Sequence, residues 1–184
     1  DVGRRFGENN AFGIRVNGSY SNGDTTLDGQ SKKKEFLSAA LDYRARGLTA
    51  SLDVYRSKAS FKGGSPAMYG FTSTNIPDAP DPSTNFLKPA YGELETQTVI
   101  ARAEYEFNRN IAAFVGIGTR AHDYSCWING THAHSIQANG NAQVRTVAQR
   151  GYDDSVSSEA GLRGRFSTAG VRHELVAHAT QLKL

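Results

Sequence analysis

Residues 35–56 read EFLSAALDYRARGLTASLDVYR, two period-two runs on either side of a tight break at Ala45-Arg46-Gly47. Leu37, Ala39, Leu41 and Tyr43 share one face of the first run, and Leu48, Ala50, Leu52 and Val54 one face of the second. Alternation of this kind across a short break predicts a β-hairpin. The opposite faces carry Ser38, Asp42 and Arg44, then Thr49, Ser51 and Asp53. Each strand therefore has one apolar and one charged side, and the fold depends on which side meets water.

Working outward, the same pattern recurs. Residues 1–6 read as a strand end. In residues 11–20, Phe12, Ile14, Val16 and Tyr20 alternate with Arg15, Asn17 and Ser19. Thr96 to Phe107 sets Val99, Ala101, Ala103 and Tyr105 against Arg102, Glu104 and Glu106. The return run from Ile111 to about Asp123 is ambiguous, because Ile111, Val115 and Ile117 take one face and Phe114 the other. Alternation resumes near Gln143 and is clearest over Val156 to Phe166, with Glu159, Arg163 and Arg165 opposite Leu162. It continues from Val171 to Leu184, with Arg172 and Glu174 opposite Leu175.

Between these runs the connections alternate short and long: 7–10, 45–47, 108–110 and 167–170 are short, whereas 21–34, 57–95 and 124–142 are long. All five prolines fall in 57–95, which excludes a central strand there. An unbroken loop of that length is unusual in a compact soluble domain. In an up-and-down barrel the alternation sends every short turn to one end and every long loop to the other, as in outer-membrane barrels. Phe12, Tyr43, Phe107 and Phe166 all lie on apolar faces close to a short turn, as an interfacial aromatic girdle requires. The fold class expected is all-β, an antiparallel up-and-down transmembrane barrel segment of about eight strands, forming a single partial barrel domain over residues 1–184. Leu37, Leu41, Leu48 and Leu52 would face lipid. Arg15, Asp42, Arg44, Asp53, Arg102, Glu104, Arg163 and Arg165 would face the lumen and pair across neighbouring strands.

Bulk properties agree with that reading without enforcing it. Mean hydropathy is −0.51, and no apolar run is long enough for a membrane helix, but a barrel turns only alternate residues to lipid. The 21 basic and 18 acidic residues are interspersed, with only Lys32-Lys33-Lys34 as a run, so no nucleic-acid partner is expected. The single Cys126 permits no internal disulfide. Asp1 is not a start methionine and Leu184 falls within a periodic run, so the sequence reads as an internal piece of a longer chain.

No nucleophile elbow, P-loop, dinucleotide fingerprint or zincin motif occurs. His122-Asp123 and His132-x-His134 lack further ligands, and no protein metal site or cofactor is expected. Asn17-Gly18-Ser19 and Asn129-Gly130-Thr131 match glycosylation acceptors, which carry no weight in a bacterial outer membrane. Aromatic residues collect in the long loops, and Tyr69, Phe71, Tyr91, Tyr124 and Trp127, with Phe86, are candidates for ligand contact.

Several stretches resemble TonB-dependent siderophore receptors: DVGRRFG, a short turn, FGIRVN, the GDT loop, LDYRARGLTASLDV, the loop GGSPAMYGFTSTNIPDAPDPSTNF, ARAEYEFNRNIAAFVGIG, and SSEAGLRGRFSTAGVRHELVAHAT. The resemblance implies a 22-stranded barrel with a plugged lumen in the bacterial outer membrane. It further implies a ferric siderophore as ligand, the TonB complex as partner through a plug domain absent from these residues, and no enzymatic activity. Iron would be held by the siderophore's own oxygens, with loop aromatics and lumen arginines binding an anionic chelate. Two other classes fit the alternation: a complete eight-stranded barrel with an adhesin or structural role, whose first and last strands must pair, and a soluble β-sandwich binding carbohydrate through Tyr69, Tyr91 and Trp127. An outer-membrane enzyme would need a Ser–His contact on the lumen wall.

Overall fold

A computed structural model describes residues 1–64, 68–72, 74, 76–79, 81, 83–85, 87–127 and 132–184, without the side chains of Met68 and His132. One antiparallel sheet dominates. Its eight strands are β1 (Val2–Phe6), β2 (Phe12–Asp24), β3 (Ser31–Ala45), β4 (Leu48–Lys62), β6 (Tyr91–Asn108), β7 (Ile111–Cys126), β10 (Gln149–Thr168) and β11 (Val171–Lys183), each hydrogen-bonded to its neighbours in that order. The intervening β5 (Met68–Phe71), β8 (His132–Ile136) and β9 (Gln143–Arg145) form a separate three-stranded sheet in the long connections. The eight-stranded sheet is open: among the described residues β1 pairs only with β2, and β11 only with β10. That excludes a closed eight-stranded barrel within this chain.

The short turns are those the sequence predicts. Arg46-Gly47 and Ala169-Gly170 both take positive φ at the two central residues, the type I′ geometry that matches strand twist in a two-residue hairpin. At the β6–β7 turn, Asn108 Oδ1 accepts the backbone N–H groups of Asn110 and Ile111 at 2.8 and 3.0 Å. Phe107 is passed over in the register there, as a bulge.

Register fixes the tilt of the wall. The row through Phe12, beside the first turn, runs through Tyr43, Ala50, Ala103 and Val115 to Ala160, about eight residues short of the end of β10 at Thr168. At about 3.3 Å per residue and about 4.8 Å per strand, that drift, over the six strand spacings from the β1–β2 turn to the β10–β11 turn, tilts the strands by about 40° against the line of turns. Transmembrane barrels tilt by about 35–45°.

Among the described residues the sheet has no second layer. Buried apolar residues among those described are scattered (Ala11, Leu87, Ala90, Ala112, Cys126, Ala133, Ile136), while Leu41, Leu52, Val99, Val115, Ile117 and Leu162 are exposed. A soluble sandwich would bury that face against a second sheet, and none of the described residues does so. Exposure also distinguishes the faces: the leucine and valine face is the more open, whereas Ser51, Asp53, Thr98, Glu104 and Arg163 on the reverse are half-buried or buried. The apolar side is therefore convex and the charged side concave.

On the convex face, largely apolar stretches run 12–20, 37–45, 48–54, 99–107 and 111–121, and the first charges beyond them are Glu35, Arg56, Glu95, Asp123 and Asp154. About nine residues tilted at about 40° stand roughly 23 Å high, which matches the lipid-facing band of an outer-membrane barrel. Rings line its turn-side edge: Phe6 stacks on Phe12 at 5.7 Å, Phe12 meets Tyr43 at 4.9 Å, Tyr105 meets Phe107 at 5.1 Å, and Phe166 lies on His173 at 5.0 Å.

The strands outrun the sequence reading at the loop end. Connections read as 21–34, 57–95 and 124–142 lose both ends to strand, and the ladders reach Asp24, Ser31, Lys62, Tyr91 and Cys126. Outside the lipid band both faces are polar, so hydrophobic alternation stops while backbone pairing continues. Lys33–Glu35 at 2.5 Å, Lys58–Glu93 at 2.5 Å and Arg56–Glu95 at 2.7 Å occupy the convex face there. The Lys33 hydrogen bond and charge hold the Glu35 carboxyl below its usual range, and Glu93 raises Lys58 in the same way.

Candidate functional site

The concave face is organised by ion pairs that run from strand to strand. Arg15, Asp42, Arg44, Asp53, Arg102, Glu104, Arg163 and Arg165 all stand on it by register. Neighbouring strands are joined by Arg15–Asp1, by Arg120–Asp153 at 2.9 Å and by Arg165–Glu174 at 3.1 Å, and Arg44 reaches Asp42 on its own strand at 3.2 Å. Two pairs pass over an intervening strand. Arg5 on β1 reaches Asp42 on β3 at 2.8 Å across Gly13 of β2, where a Cβ would fall 2.2 Å from the carboxylate. Arg163 on β10 similarly reaches Glu104 on β6 across β7. The arginines in these pairs each face a carboxylate, Arg5 and Arg44 sharing Asp42, so they hold the wall's register and are less well placed to attract an anion.

Removing one of these pairs should matter little by itself. The Arg163 and Glu104 side chains keep about a third of their exposure, and screening limits a pair in a wet lumen to roughly 1 kcal/mol or less. Arg163→Ala is therefore expected to assemble normally and to shift the urea unfolding midpoint only slightly. A collapse of assembly would mean that the pair sits in a dry interior.

Toward the loop end, the concave face changes character. Tyr124 lies over Gly151 of β10 and stacks on His122 with ring centroids 6.0 Å apart, while His122 Nδ1 is 2.8 Å from Thr96 Oγ1. Phe61 covers Gly92, and Phe36 meets Tyr55 at 6.1 Å. Phe36, Tyr55 and Phe61 were not among the sequence candidates, and His122 was weighed there only as a metal or catalytic group beside Asp123. Counting in twos from the short turns would have placed them on the concave face, but their neighbours are too polar for alternation to draw attention to them.

The loop aromatics chosen from the sequence do not form one cluster. Tyr124 belongs to the concave wall. Tyr91 and Trp127 pair on the convex face with ring centroids 6.0 Å apart, above the apolar band, where the Trp127 backbone N–H donates to the Tyr91 carbonyl at 2.9 Å. Tyr69 and Phe71 sit on β5, and Phe86 lies outside the described residues.

β5 comes from the connection after β4 and β8 from that after β7, and they pair in parallel, with Tyr69 opposite Ala133 and Phe71 opposite Ile136. The Thr72 backbone N–H and Oγ1 both donate to the Ile136 carbonyl at 3.0 Å, fastening the two loops. Beside this sheet a cleft of about 770 Å³ is lined by Tyr69, Phe71, Ile76, Ala133, Ile136 and Val144, among others. In the same loop the Ser83 backbone N–H donates to Asp81 at 2.8 Å and holds that carboxyl below its usual range. Among the described residues no group of three His, Cys, Asp or Glu side chains could hold a metal ion.

An open, tilted wall with a lipid-high apolar belt, a turn-side girdle and a charged concave face is a segment of an outer-membrane β-barrel. No family model matches the chain. The ferrichrome receptor FcuA of Yersinia enterocolitica is 28% identical over 178 residues, which make up 95% of this chain and 23% of that protein. The ferric preacinetobactin receptor BauA of Acinetobacter baumannii superposes on 99% of the chain with a TM-score of 0.88 at 28% identity, using 27% of its own length. The ferric-catecholate import receptor Fiu of E. coli K12 gives 0.78 over 99% of the chain at 13% identity, a likeness of fold. The chain thus spans about a quarter of the proteins it matches. In sequence and fold it is similar to the barrel portion of siderophore receptors, as its motifs led one to expect, and its place is the outer membrane.

Proposed function

We propose that these residues form part of the barrel wall and outer mouth of a receptor that takes up ferric siderophores, driven by the TonB complex through a plug domain lying outside residues 1–184. The observation that carries this reading is the alignment of 95% of the chain with a ferrichrome receptor. The tilted wall and the cleft between its outer loops support it. The role is transport without covalent chemistry, and iron stays on the oxygens of its chelator.

A strain lacking the gene, grown under iron limitation on a panel of ferric siderophores that includes ferrichrome, should lose growth and radio-iron uptake with one of them. The full-length gene should restore both, and collapse of the proton-motive force should abolish uptake. Undiminished uptake of every chelate by the deletion strain would count against a receptor role.

A further inference from the structure

The cleft beside the β5–β8–β9 sheet differs in chemistry from the wall beneath it. Its lining is dominated by two aromatic rings and by Ile76, Ala133, Ile136 and Val144, and the only formal charge among the described lining residues is Asp78. Tyr69 and Phe71 are about half exposed, at 55% and 43%, although both lie in a strand fixed to a second loop through Thr72 and Ile136. Open apolar rings held on a fastened strand form a surface prepared for an apolar group. In the concave-face pairs described above each arginine already faces a carboxylate, Arg5 and Arg44 sharing Asp42, which weakens the positive field the wall can supply. A strongly anionic ligand would meet only Asp78 in the cleft, and the sign is unfavourable.

From this chemistry we infer that the cleft seats an uncharged aryl or branched alkyl arm of the ferric ligand, so that the receptor selects neutral, aryl-bearing chelates over polyanionic ones. This rests on the receptor reading and names its ligand class.

The test uses the full-length protein in detergent and three iron complexes of known charge: ferric tris(benzohydroxamate), neutral with phenyl arms; ferric tris(acetohydroxamate), neutral with methyl arms; and ferric tris(catecholate), a trianion. Binding is read by quenching of protein fluorescence, with the corresponding gallium complexes as controls for inner-filter effects. The phenyl complex should bind at least tenfold more tightly than the methyl complex and more tightly than the trianion. In the Phe71→Ala/Ile136→Ala variant the phenyl preference should fall below threefold while methyl-complex affinity is retained, which also shows that the variant is folded. Equal affinity for the two hydroxamates, tightest binding of the trianion, or a phenyl preference that survives both substitutions would each overturn the inference and leave the receptor reading intact. Failure of the wild-type protein to bind any of the three complexes would sink both.

Discussion

Leu41→Arg is expected to block assembly of the barrel, at a cost of about 2–4 kcal/mol for a cationic side chain near the middle of the lipid band. Leu41 lies on the convex face between Ile14 and Leu52, midway along the apolar stretch 37–45, and is 47% exposed in the isolated chain. No carboxylate shares its part of that face, because the charged residues of the convex side begin at Glu35 and Arg56. An arginine there must either remain unpaired in hydrocarbon or reach the interface at the expense of the surrounding lipid. The neighbouring substitution Ala40→Arg puts the same side chain on the concave face near Asp42 and Asp53 and should be tolerated. Heat-modifiable gel mobility of the full-length protein extracted from outer membranes distinguishes the two. Equal assembly of both variants would show that the leucine face does not meet lipid.

Gly161→Ala should have the second large effect. A Cβ at this position would fall 2.5 Å from Phe114 Cζ, 2.7 Å from His178 Cβ and 2.8 Å from the Ala177 carbonyl oxygen. The ring could swing aside, but the carbonyl belongs to the backbone of β11, so β10 and β11 must separate locally. Overpacking of this kind costs about 1–3 kcal/mol, visible as a lower temperature for loss of heat-resistant mobility. Combining it with Phe114→Ala should recover only part of the loss, since the clash with β11 remains. A wild-type melting temperature for Gly161→Ala would mean that Phe114 does not lie on this glycine.

Phe114 also illustrates what the sequence left open. Its position opposite Ile111, Val115 and Ile117 made β7 ambiguous as a pattern of apolar residues. The structure resolves this by seating the ring over a residue with no side chain on the next strand, a pairing invisible without register. Wherever lipid imposed alternation, the sequence was legible: the eight strands, their order, the short turns and the turn-side rings all follow from period-two runs and loop lengths. Above the lipid band no solvent boundary distinguishes the two faces of a strand, so the ladders to Asp24, Lys62 and Cys126 left no hydrophobic trace.

The outer-loop region was the least legible for the same reason. Aromatic content singled out these loops but could not sort Tyr91 and Trp127 to the convex face, Tyr124 to the concave wall, and Tyr69 and Phe71 to a separate sheet. That sheet pairs segments more than sixty residues apart in the chain, each too short to show a period of its own. The charges expected in the lumen share one face of the sheet. Their role changed once Asp1, Asp42, Glu104 and Glu174 were seen to pair with Arg15, Arg44, Arg163 and Arg165, which had been assigned to an anionic ligand.

The central claim is that one face of these strands meets lipid and the other an aqueous lumen. The most direct measurement is a nitroxide scan of positions 36–44 in the full-length protein, with Cys126 replaced by serine, in reconstituted bilayers. Collision with lipid-soluble oxygen and with a water-soluble nickel chelate is recorded at each site. Positions 37, 39, 41 and 43 should be accessible to oxygen and shielded from nickel, with 38, 40, 42 and 44 showing the reverse. A flat profile across the strand, or the opposite phase, would contradict the account.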